Sequence, residues 1–276
     1  MKIIQTIPEM QNFSLNARRS GQTIAAVPTM GFLHDGHLSL IERAHAEADL
    51  VVVSIFVNPT QFAPNEDLAK YPRNFERDCA LCEQHKVAAI FAPDSHAIYE
   101  PEHSTWVVEE NLSLPLCGKS RPTHFRGVTT VVAKLFNAIL PDIAIFGQKD
   151  AQQALIIRRM VLDLNFPIKI IVAPLVREPD GLALSSRNRF LSDDERQRAL
   201  VISQTLLGLT AENIDPKTIK SQISSTGGTI DYVEILDADT LQAVNPNTTE
   251  ILVAVAVFFG TTRLIDNILL PNNKTS

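Results

Sequence analysis

The sequence is poor in cysteine and has no long apolar run. Three cysteines among 276 residues cannot all pair, so a disulfide-based fold is excluded. The longest uninterrupted apolar stretch, residues 251–259, has the length of a strand and falls far short of the roughly 18–20 residues that span a bilayer. The N-terminus has no recognisable secretory signal. We therefore expect a protein of the reducing cytoplasm without membrane contact.

Two common phosphate-binding motifs and a complete zinc motif are also missing. None of the 11 glycines forms G-x-G-x-x-G. Residues 118–120 read GKS like the end of a P-loop, but the position where that motif requires its first glycine holds Ser113. Cys79 and Cys82 have the spacing of half a zinc site, yet no second pair exists, so we expect them to pack in a helix.

The net charge is acidic, with 25 Lys and Arg against 31 Asp and Glu and a formal charge of -6. Such a chain repels a polyanion, so we expect no nucleic-acid partner. A site for a small anion must gather its cationic residues locally. Because 45% of the residues are hydrophobic, the chain can bury a substantial core.

Apolar, β-branched segments alternate with segments of helical period in the first part of the chain. The predicted strands are residues 23–28, 50–57, 88–91, 143–146 and 168–172. The predicted helices are residues 37–49, 74–86, 128–140 and 151–164. Strands that are apolar on both faces are typical of a parallel sheet covered by helices on both sides. We therefore predict a Rossmann-like, doubly wound α/β domain over residues 1–176.

The pattern changes after residue 176. Pro179 and Gly181 mark a loop, and Ser192 followed three residues later by Glu195 predicts the capped start of a helix. Another helix is predicted at residues 216–225, and strands near residues 231–235, 250–259 and 264–268. This order of elements predicts a smaller C-terminal α+β lid domain over residues 177–276.

Residues 27–41, VPTMGFLHDGHLSLI, place two histidines between a predicted strand and a helix. Open α/β sheets bind ligands at such junctions, where the helix N-terminus favours phosphate. Gly31 and Gly36 permit close backbone approach, and His34 and His37 lie one turn apart, so both can donate hydrogen bonds to phosphate oxygens. The alternative is that both rings cap the helix and face solvent. The spacing disfavours an H-E-x-x-H zinc site.

Two further segments offer polar side chains. Asn58 and Gln61 follow the second predicted strand, where neutral amides suit hydroxyl or carboxylate groups; an ordinary Asn-Pro turn is the alternative for Asn58. Residues 120–127, SRPTHFRG, form a basic loop that enters a helix. This loop can contact a ligand or a second subunit, but we favour the interpretation that it positions the helix.

Residues 147–150, GQKD, follow the 143–146 strand. Lys149 suits a phosphate and Asp150 a metal or the lysine, while Gln153 lies one turn into the next helix. Asp150 as a helix N-cap is the alternative and is compatible with the first interpretation. Residues 182–188, LALSSRN, place two hydroxyls and an arginine on a loop that can close over a polyphosphate.

In chain order, these motifs resemble those of the pantoate–β-alanine ligase family, a member of the HIGH-type nucleotidylyl transferase superfamily. The resemblance extends over nearly all of the chain. The corresponding segments are 28–37 (PTMGFLHDGH), 53–62 (VSIFVNPTQF), 71–73 (YPR), 120–128 (SRPTHFRGV), 147–153 (GQKDAQQ), 180–188 (DGLALSSRN) and 263–267 (RLIDN). Two positions depart from the usual family pattern: Gln148 replaces Glu, and Thr123 replaces Gly.

The resemblance implies a set of site residues. ATP is expected on Met30, Gly31, Phe32, Leu33, His34, Asp35, Gly36, His37, Gly147, Gln148, Lys149, Asp150, Val176, Leu184, Ser185, Ser186 and Arg187. Pantoate is expected on Gln61 and Gln153, with Asn58 beside them, and β-alanine on Gln61. His37 is implied to be the catalytic acid, with His34, Lys149 and Arg187 assisting at the phosphates. Mg²⁺ is expected as a cofactor, with Asp78 and Asp150 as candidate ligands.

The activity implied by the resemblance is ATP-dependent ligation of pantoate and β-alanine, a step of pantothenate and coenzyme A biosynthesis. Pantoate's carboxylate would attack the α-phosphorus of ATP, and the β-alanine amine would then displace AMP from the pantoyl adenylate. A homodimer is also implied. Two other functions stay open: a nucleotidylyltransferase that stops at an adenylated or cytidylylated product, and a non-catalytic nucleotide-sensing module. A tRNA synthetase is disfavoured because the chain has no room for an anticodon-binding domain.

Overall fold

The computed structural model describes residues 1–64 and 66–272. Its larger sheet is six-stranded and entirely parallel, in the spatial order β1-β4-β3-β2-β5-β6. The strands are β1 (Lys2–Ile4), β2 (Ile24–Thr29), β3 (Leu50–Ile55), β4 (Ala89–Phe91), β5 (Ile143–Gly147) and β6 (Lys169–Ala173). The chain moves from β2 to β3 on one side and later returns to place β5 on the other. The crevice at the carboxyl ends of these strands is therefore the ligand position expected for an open α/β sheet.

Helices cover both faces of this sheet. They are α1 (Ile7–Arg19), α2 (Asp35–His45), α3 (Phe75–Gln84), α4 (Ser95–Ile98), α5 (Cys117–Ser120), α6 (His124–Ile139) and α7 (Ala151–Asp163). Alternate residues of β2 enter different cores: Ala26 packs in the cluster that contains Phe136 of α6, and Val27 in the cluster that contains Ile41 of α2. Burial on both faces explains why the strand has no polar alternation.

The smaller sheet is antiparallel and three-stranded. It consists of β7 (Thr229–Asp237), β8 (Glu250–Phe259) and β9 (Thr262–Pro271), packed against α8 (Asp193–Leu207) and α9 (Pro216–Ser225). The predicted capping box is confirmed, since the Ser192 hydroxyl accepts from the Glu195 N–H and the Glu195 carboxylate accepts from the Ser192 N–H. We propose the division at residues 176 and 177 as the domain boundary because the two sheets lie on either side of it.

The fold class is confirmed, and the differences lie mostly at the ends of elements. Helix α2 begins at Asp35, two residues earlier than predicted, because His34 occupies the N-cap position. Helix α6 begins at His124, four residues earlier than predicted. Strand β1 and helix α1 were not predicted: the strand has only three residues, two of them exposed, and the helix has a mostly polar surface.

Cys82 is buried and Cys79 partly buried on α3, in agreement with helix packing. Over residues 1–64 and 66–272, no cluster of three or more His, Cys, Asp or Glu side chains has the geometry to hold a metal ion. No helix within the same ranges combines the length and the hydropathy required to cross a bilayer.

Candidate active site

A cleft of about 1020 Å³ opens at the carboxyl ends of β2 and β5 and extends to the second sheet. It contains most of the side chains that the sequence predicts. Those lining it are Met30, His34, Gly36, His37, Asn58, Gln61, Gly147, Lys149, Asp150, Gln153, Val176, Leu184, Ser185, Ser186 and Arg187. The volume reaches the upper end of the range that is usual for small-molecule sites.

The two histidines lie at the start of α2 with their ring centroids 4.0 Å apart. The backbone N–H of His34 donates to Nδ1 of His37 over 3.3 Å. Since that nitrogen accepts a hydrogen bond, the neutral His37 ring carries its proton on Nε2. His37 is therefore a hydrogen-bond donor through Nε2.

Both rings are held neutral. Burial, followed by the nearby Lys149 ammonium, lowers the pKa of His34 from its usual 6.5 to about 4. Burial, the adjacent His34 ring and Lys149 lower the pKa of His37 well below its usual value. Within the described chain, Nδ1 of His34 is buried without a hydrogen-bond partner. The pair can thus supply N–H donors without bringing a positive charge of its own.

Glycine is required beside this pair. A Cβ on Gly36 would lie 3.0 Å from both Cε1 and Nδ1 of His34. Gly31 has φ +78°, and a Cβ there would approach the side chains of Ile55 and Asp78 at 3.0 and 3.1 Å. These two glycines let the chain leave β2 and still pack the His34 ring against the helix entry.

Asp78 holds the loop that follows β2. Its buried carboxylate accepts from the backbone N–H of Phe32 at 2.7 Å and from that of Leu33 at 2.8 Å. Its two oxygens bind backbone donors and organise the loop. The role of Asp78 as a metal ligand stays a prediction.

Five predicted ATP-site residues do not line the cleft: Gly31, Phe32, Leu33, Asp35 and Gln148. The N–H of Gly31 is bonded to the Thr29 hydroxyl, and those of Phe32 and Leu33 to Asp78. The Phe32 ring lies under the guanidinium groups of Arg77 and Arg189, the Leu33 side chain is buried, and Asp35 is exposed. The backbone N–H groups of Gly31, Phe32 and Leu33 are thus already bonded within the loop.

Lys149 lies on a 3₁₀ turn, Gln148–Asp150, directly after β5. Its ammonium is 4.0 Å from the half-exposed Asp150 carboxylate. In comparison, Arg121 and Arg263, which also line the cleft, form ion pairs at 2.6 and 2.7 Å. Lys149 is thus the most loosely paired of these three cations and is placed to meet an anionic ligand.

Asn58 has a structural role. Its Nδ2 donates to Gln61 Oε1 and to the Gly127 carbonyl, each at 3.1 Å. Its Oδ1 accepts from the Thr60 and Tyr99 hydroxyls at 2.9 Å. The amide is buried and its hydrogen-bonding groups have partners within the chain, so Asn58 orients Gln61. Direct contact of Asn58 with pantoate stays a prediction.

The basic loop before α6 supports the same turn. Arg121 Nη2 donates to the Gln61 carbonyl at 3.1 Å, and His124 Nδ1 to the same oxygen at 2.9 Å. Arg121 also pairs with Glu66 through two contacts of 2.6 Å. The positioning role that the sequence favoured for this loop agrees with these contacts, although Arg121, His124 and Glu66 also line the cleft. The sequence analysis missed Glu66, since 55 residues separate it from Arg121.

A short hairpin lines another part of the cleft. The Leu184 N–H donates to the Val176 carbonyl at 3.1 Å. The Ser185 hydroxyl accepts from the Arg187 N–H at 3.2 Å and so begins the 3₁₀ turn Ser186–Phe190. Leu184 lies close to the start of α2, since a Cβ on Gly36 would be 3.6 Å from its Cβ, so the hairpin brings hydroxyl and guanidinium groups to the cleft beside the imidazole pair.

The two departures from the family pattern are both accommodated. Thr123 has φ -97° at the N-cap of α6, a conformation that does not require glycine. The Gln148 side chain donates to Asn267 Oδ1 of β9 at 2.9 Å.

These features define a class: an open α/β protein whose switch-point cleft combines neutral imidazole donors with a loosely paired lysine, as in sites for phosphorylated ligands. The comparisons make the class specific. A family model described as pantoate-beta-alanine ligase matches residues 2–269. The chain belongs to the pantoate–β-alanine ligase family, and it is a ligase.

Similar proteins agree over their full length. A pantothenate synthetase from Thermotoga petrophila is 54% identical over 98% of this chain and 100% of its own. A crystal structure of a pantothenate synthetase from Thermus thermophilus has a TM-score of 0.89 and 40% identity, covering 97% of this chain and 99% of its own. A pantoate-beta-alanine ligase from Francisella tularensis, complexed with beta-gamma ATP and beta-alanine, has a TM-score of 0.84 and 37% identity, covering 98% of this chain and 97% of its own.

Proposed function

We propose that this protein condenses pantoate with β-alanine at the expense of ATP, through a pantoyl adenylate formed in the cleft. The observation that carries the proposal is the neutral His34–His37 pair beside Lys149 at the switch point of the sheet. The substrates are those in the names of its relatives, and the Francisella tularensis relative was crystallised with an ATP compound and β-alanine.

The first step activates the acid. An oxygen of the pantoate carboxylate attacks the α-phosphorus of ATP, a P–O bond forms, and the bond from that phosphorus to the bridging oxygen of the β-phosphate breaks. Pyrophosphate leaves with the electron pair. No protein nucleophile is needed, because the substrate carboxylate supplies it.

The protein contributes positioning and charge stabilisation to this step. His37 donates its Nε2–H to a phosphate oxygen whose charge grows as the P–O bond breaks. Donors of this kind typically contribute about 10²- to 10³-fold in rate. Lys149 neutralises the charge of the leaving pyrophosphate, and the Arg187 guanidinium, at the end of the hairpin, contacts the same phosphates. The family resemblance implies that His37 is an acid that transfers a proton. Because its pKa is lowered and the ring is neutral, we assign it a hydrogen bond to the phosphate instead.

His34 supports the same anion. Its Nδ1 is buried without a partner in the part of the chain that the structure describes. This nitrogen faces the start of α2, where a capping box directs the His34 side chain to the His37 backbone N–H. The other ring nitrogen, Nε2, is then the one that can donate to a phosphate oxygen. The remaining residues of the phosphate region are Gly36, Gly147, Val176, Leu184, Ser185 and Ser186.

The second step forms the amide. The β-alanine amine attacks the acyl carbon, the bond from that carbon to the AMP oxygen breaks, and the nitrogen loses a proton to solvent. Gln61 and Gln153 line the cleft on the side where we place pantoate. Asn58 fixes the Gln61 side chain through the 3.1 Å bond to its Oε1, so the subsite is ordered before substrate arrives.

Mg²⁺ is part of this proposal. When bound, it neutralises phosphate charge. It usually binds one or two carboxylates together with substrate phosphates. The residues present fit that description through Asp150, whose carboxylate lines the cleft and is half exposed. Asp78 fits less well, because both of its oxygens accept backbone hydrogen bonds.

The exchange of labelled pyrophosphate into ATP tests the proposal. Pantoate alone should support exchange, and AMP should be released only after β-alanine is added. Lys149→Ala should slow exchange by roughly two orders of magnitude. Lys119→Ala is the matched control, since that side chain lies outside the cleft and pairs with Glu234 at 3.4 Å.

Other outcomes of the exchange assay would identify a different function. A stable adenylated product without β-alanine would indicate a nucleotidylyltransferase. ATP binding without turnover would indicate a nucleotide-sensing module. If Arg187→Ala altered only β-alanine capture, our placement of the hairpin over the polyphosphate would be wrong.

We also propose a cytoplasmic homodimer, on the basis of the family resemblance. Light scattering of the purified protein should give twice the mass of the 30.5 kDa chain. A monomer over the working concentration range would contradict this.

A further inference from the structure

Strand β9 of the small sheet reaches the cleft with Asp266 and Asn267, which have no part in the mechanism above. Both residues line the cleft and are buried, with 3% and 6% of their surface exposed. Their partners belong to two loops of the proposed phosphate site, the 148–150 turn and the 177–184 hairpin.

Asn267 is hydrogen-bonded to the two backbone carbonyls that lie before and after the Lys149 Cα. Its Nδ2 donates to the carbonyls of Gln148 and Lys149, each at 3.0 Å, and its Oδ1 accepts from Gln148 Nε2 at 2.9 Å. A side-chain amide has two N–H groups, and both are used here. Asn267 therefore has no remaining donor for a ligand, and its amide acts on the Lys149 turn.

The two backbone carbonyls fix the orientation of that amide. If the Asn267 amide were flipped, its oxygen would face two carbonyl oxygens, which can only accept. The bond from Gln148 Nε2 to Asn267 Oδ1 then adds to the stability of this orientation.

Asp266 connects the same strand to the 177–184 hairpin. It accepts from the Asn267 N–H at 2.7 Å and from Arg177 at 2.6 and 3.0 Å. Arg177 in turn donates to the Gly181 carbonyl at 3.1 Å, at the tip of the hairpin that continues into Leu184. One dipeptide of β9 therefore spans both loops of the site.

We infer that Asn267 is a positioning residue for Lys149, which it holds at the cleft through the carbonyls of the 148–150 turn. This inference depends on the proposed role of Lys149 in adenylate formation. Without Asn267, two carbonyls lose their donors and the turn loses its tie to the small sheet. A displacement of about 1 Å at a reacting centre can cost roughly 10²-fold in rate.

Rapid-quench measurements on Asn267→Ala separate positioning from a general structural role. We expect adenylate formation from saturating ATP and pantoate to slow by roughly 10- to 100-fold, with a smaller change in KM for ATP. Capture of preformed adenylate by β-alanine should stay close to the wild-type rate, because Lys149 acts on pyrophosphate, which has already left.

Asn272→Ala is the matched control. Asn272 is a buried asparagine that follows β9, and its Nδ2 donates to the Thr248 carbonyl at 2.8 Å, away from the cleft. Its loss should affect stability but not the ratio of the two half-reaction rates. Gln148→Ala should also slow adenylate formation selectively, but by a smaller factor than Asn267→Ala. The double variant should be slowed by less than the product of the two single factors, because both substitutions act through the Asn267 amide.

The outcomes are separable. If wild type forms no adenylate, the proposed function fails. If wild type forms adenylate and Asn267→Ala matches its rate, the positioning inference alone is overturned. Equal losses in both half-reactions, accompanied by a lower Tm, would also overturn it. If Asn267→Ala does not fold, the selective loss in Gln148→Ala decides in the same way.

Discussion

Acidification should destabilise this protein through histidines that it buries uncharged. Burial lowers the pKa of His34 and of His124 from 6.5 to about 4, with Lys149 contributing at the first and Arg121 at the second. His124 is fixed by its contacts, since Nδ1 donates to the Gln61 carbonyl and Nε2 accepts from Arg121 Nη1. A proton can be added to this ring only by breaking the second contact.

The sign follows from proton uptake. Between about pH 6.5 and 4 the unfolded chain binds protons at these imidazoles and the folded chain does not, so stability rises with pH and falls on acidification. From pH 7 to pH 5 the loss is about 2 kcal/mol for each of the two rings. The pKa of His37 is lowered in the same direction. The sum is a large part of the roughly 5–15 kcal/mol stability that is typical of a domain.

Urea unfolding of the wild type and single variants at the two pH values measures this directly. His34→Gln and His124→Gln should each reduce the pH-dependent loss by about 2 kcal/mol, whatever they do to stability at pH 7. His96→Gln is the control, because that ring is exposed on α4 and is solvated in both states. A wild-type stability that is equal at the two pH values, or a loss unaffected by either buried-site variant, would refute the reasoning.

Other substitutions test the site. His37→Ala and Lys149→Ala should keep the fold but slow adenylate formation by roughly two orders of magnitude, as measured by pyrophosphate exchange; wild-type rates would refute these roles. Gly127→Ala would place a Cβ 2.5 Å from the Thr60 carbonyl oxygen and should cost about 1–3 kcal/mol in urea unfolding, whereas Gly208→Ala, with its nearest atom at 3.5 Å, should cost less than about 1 kcal/mol. Asn58→Ala should raise KM for pantoate more than KM for ATP, and an equal rise in both would argue against its role in orienting the pantoate subsite.

The parts of the fold predicted from sequence are those determined by local pattern. The alternation of apolar strands with helices predicted the parallel sheet. The His34–His37 spacing predicted the place of the cleft, because both residues lie within one turn of a helix start. Glycines beside the pair agreed with that placement, since a Cβ on Gly36 would crowd the His34 ring at 3.0 Å.

Contacts between distant segments were not predictable in the same way. Asp78 lies 46 residues from Phe32, whose N–H it accepts, so its position in the sequence gives no sign of this role. Asn58 is a related case: its position at a strand end does not reveal that its amide has partners on α6 and in the following turn. Asn267 acts on a turn 118 residues away. It belongs to the 263–267 motif, but that motif gives no sign of its partner.

Transfer of oxygen-18 from pantoate to AMP tests the central claim most directly. If the carboxylate attacks the α-phosphorus, one carboxylate oxygen stays on that phosphorus when the amide forms. Pantoate labelled in its carboxylate should therefore yield AMP that carries one labelled oxygen, and mass spectrometry of the AMP detects it. Unlabelled AMP formed in step with pantothenate would contradict an adenylate and with it the chemistry assigned to the imidazole pair.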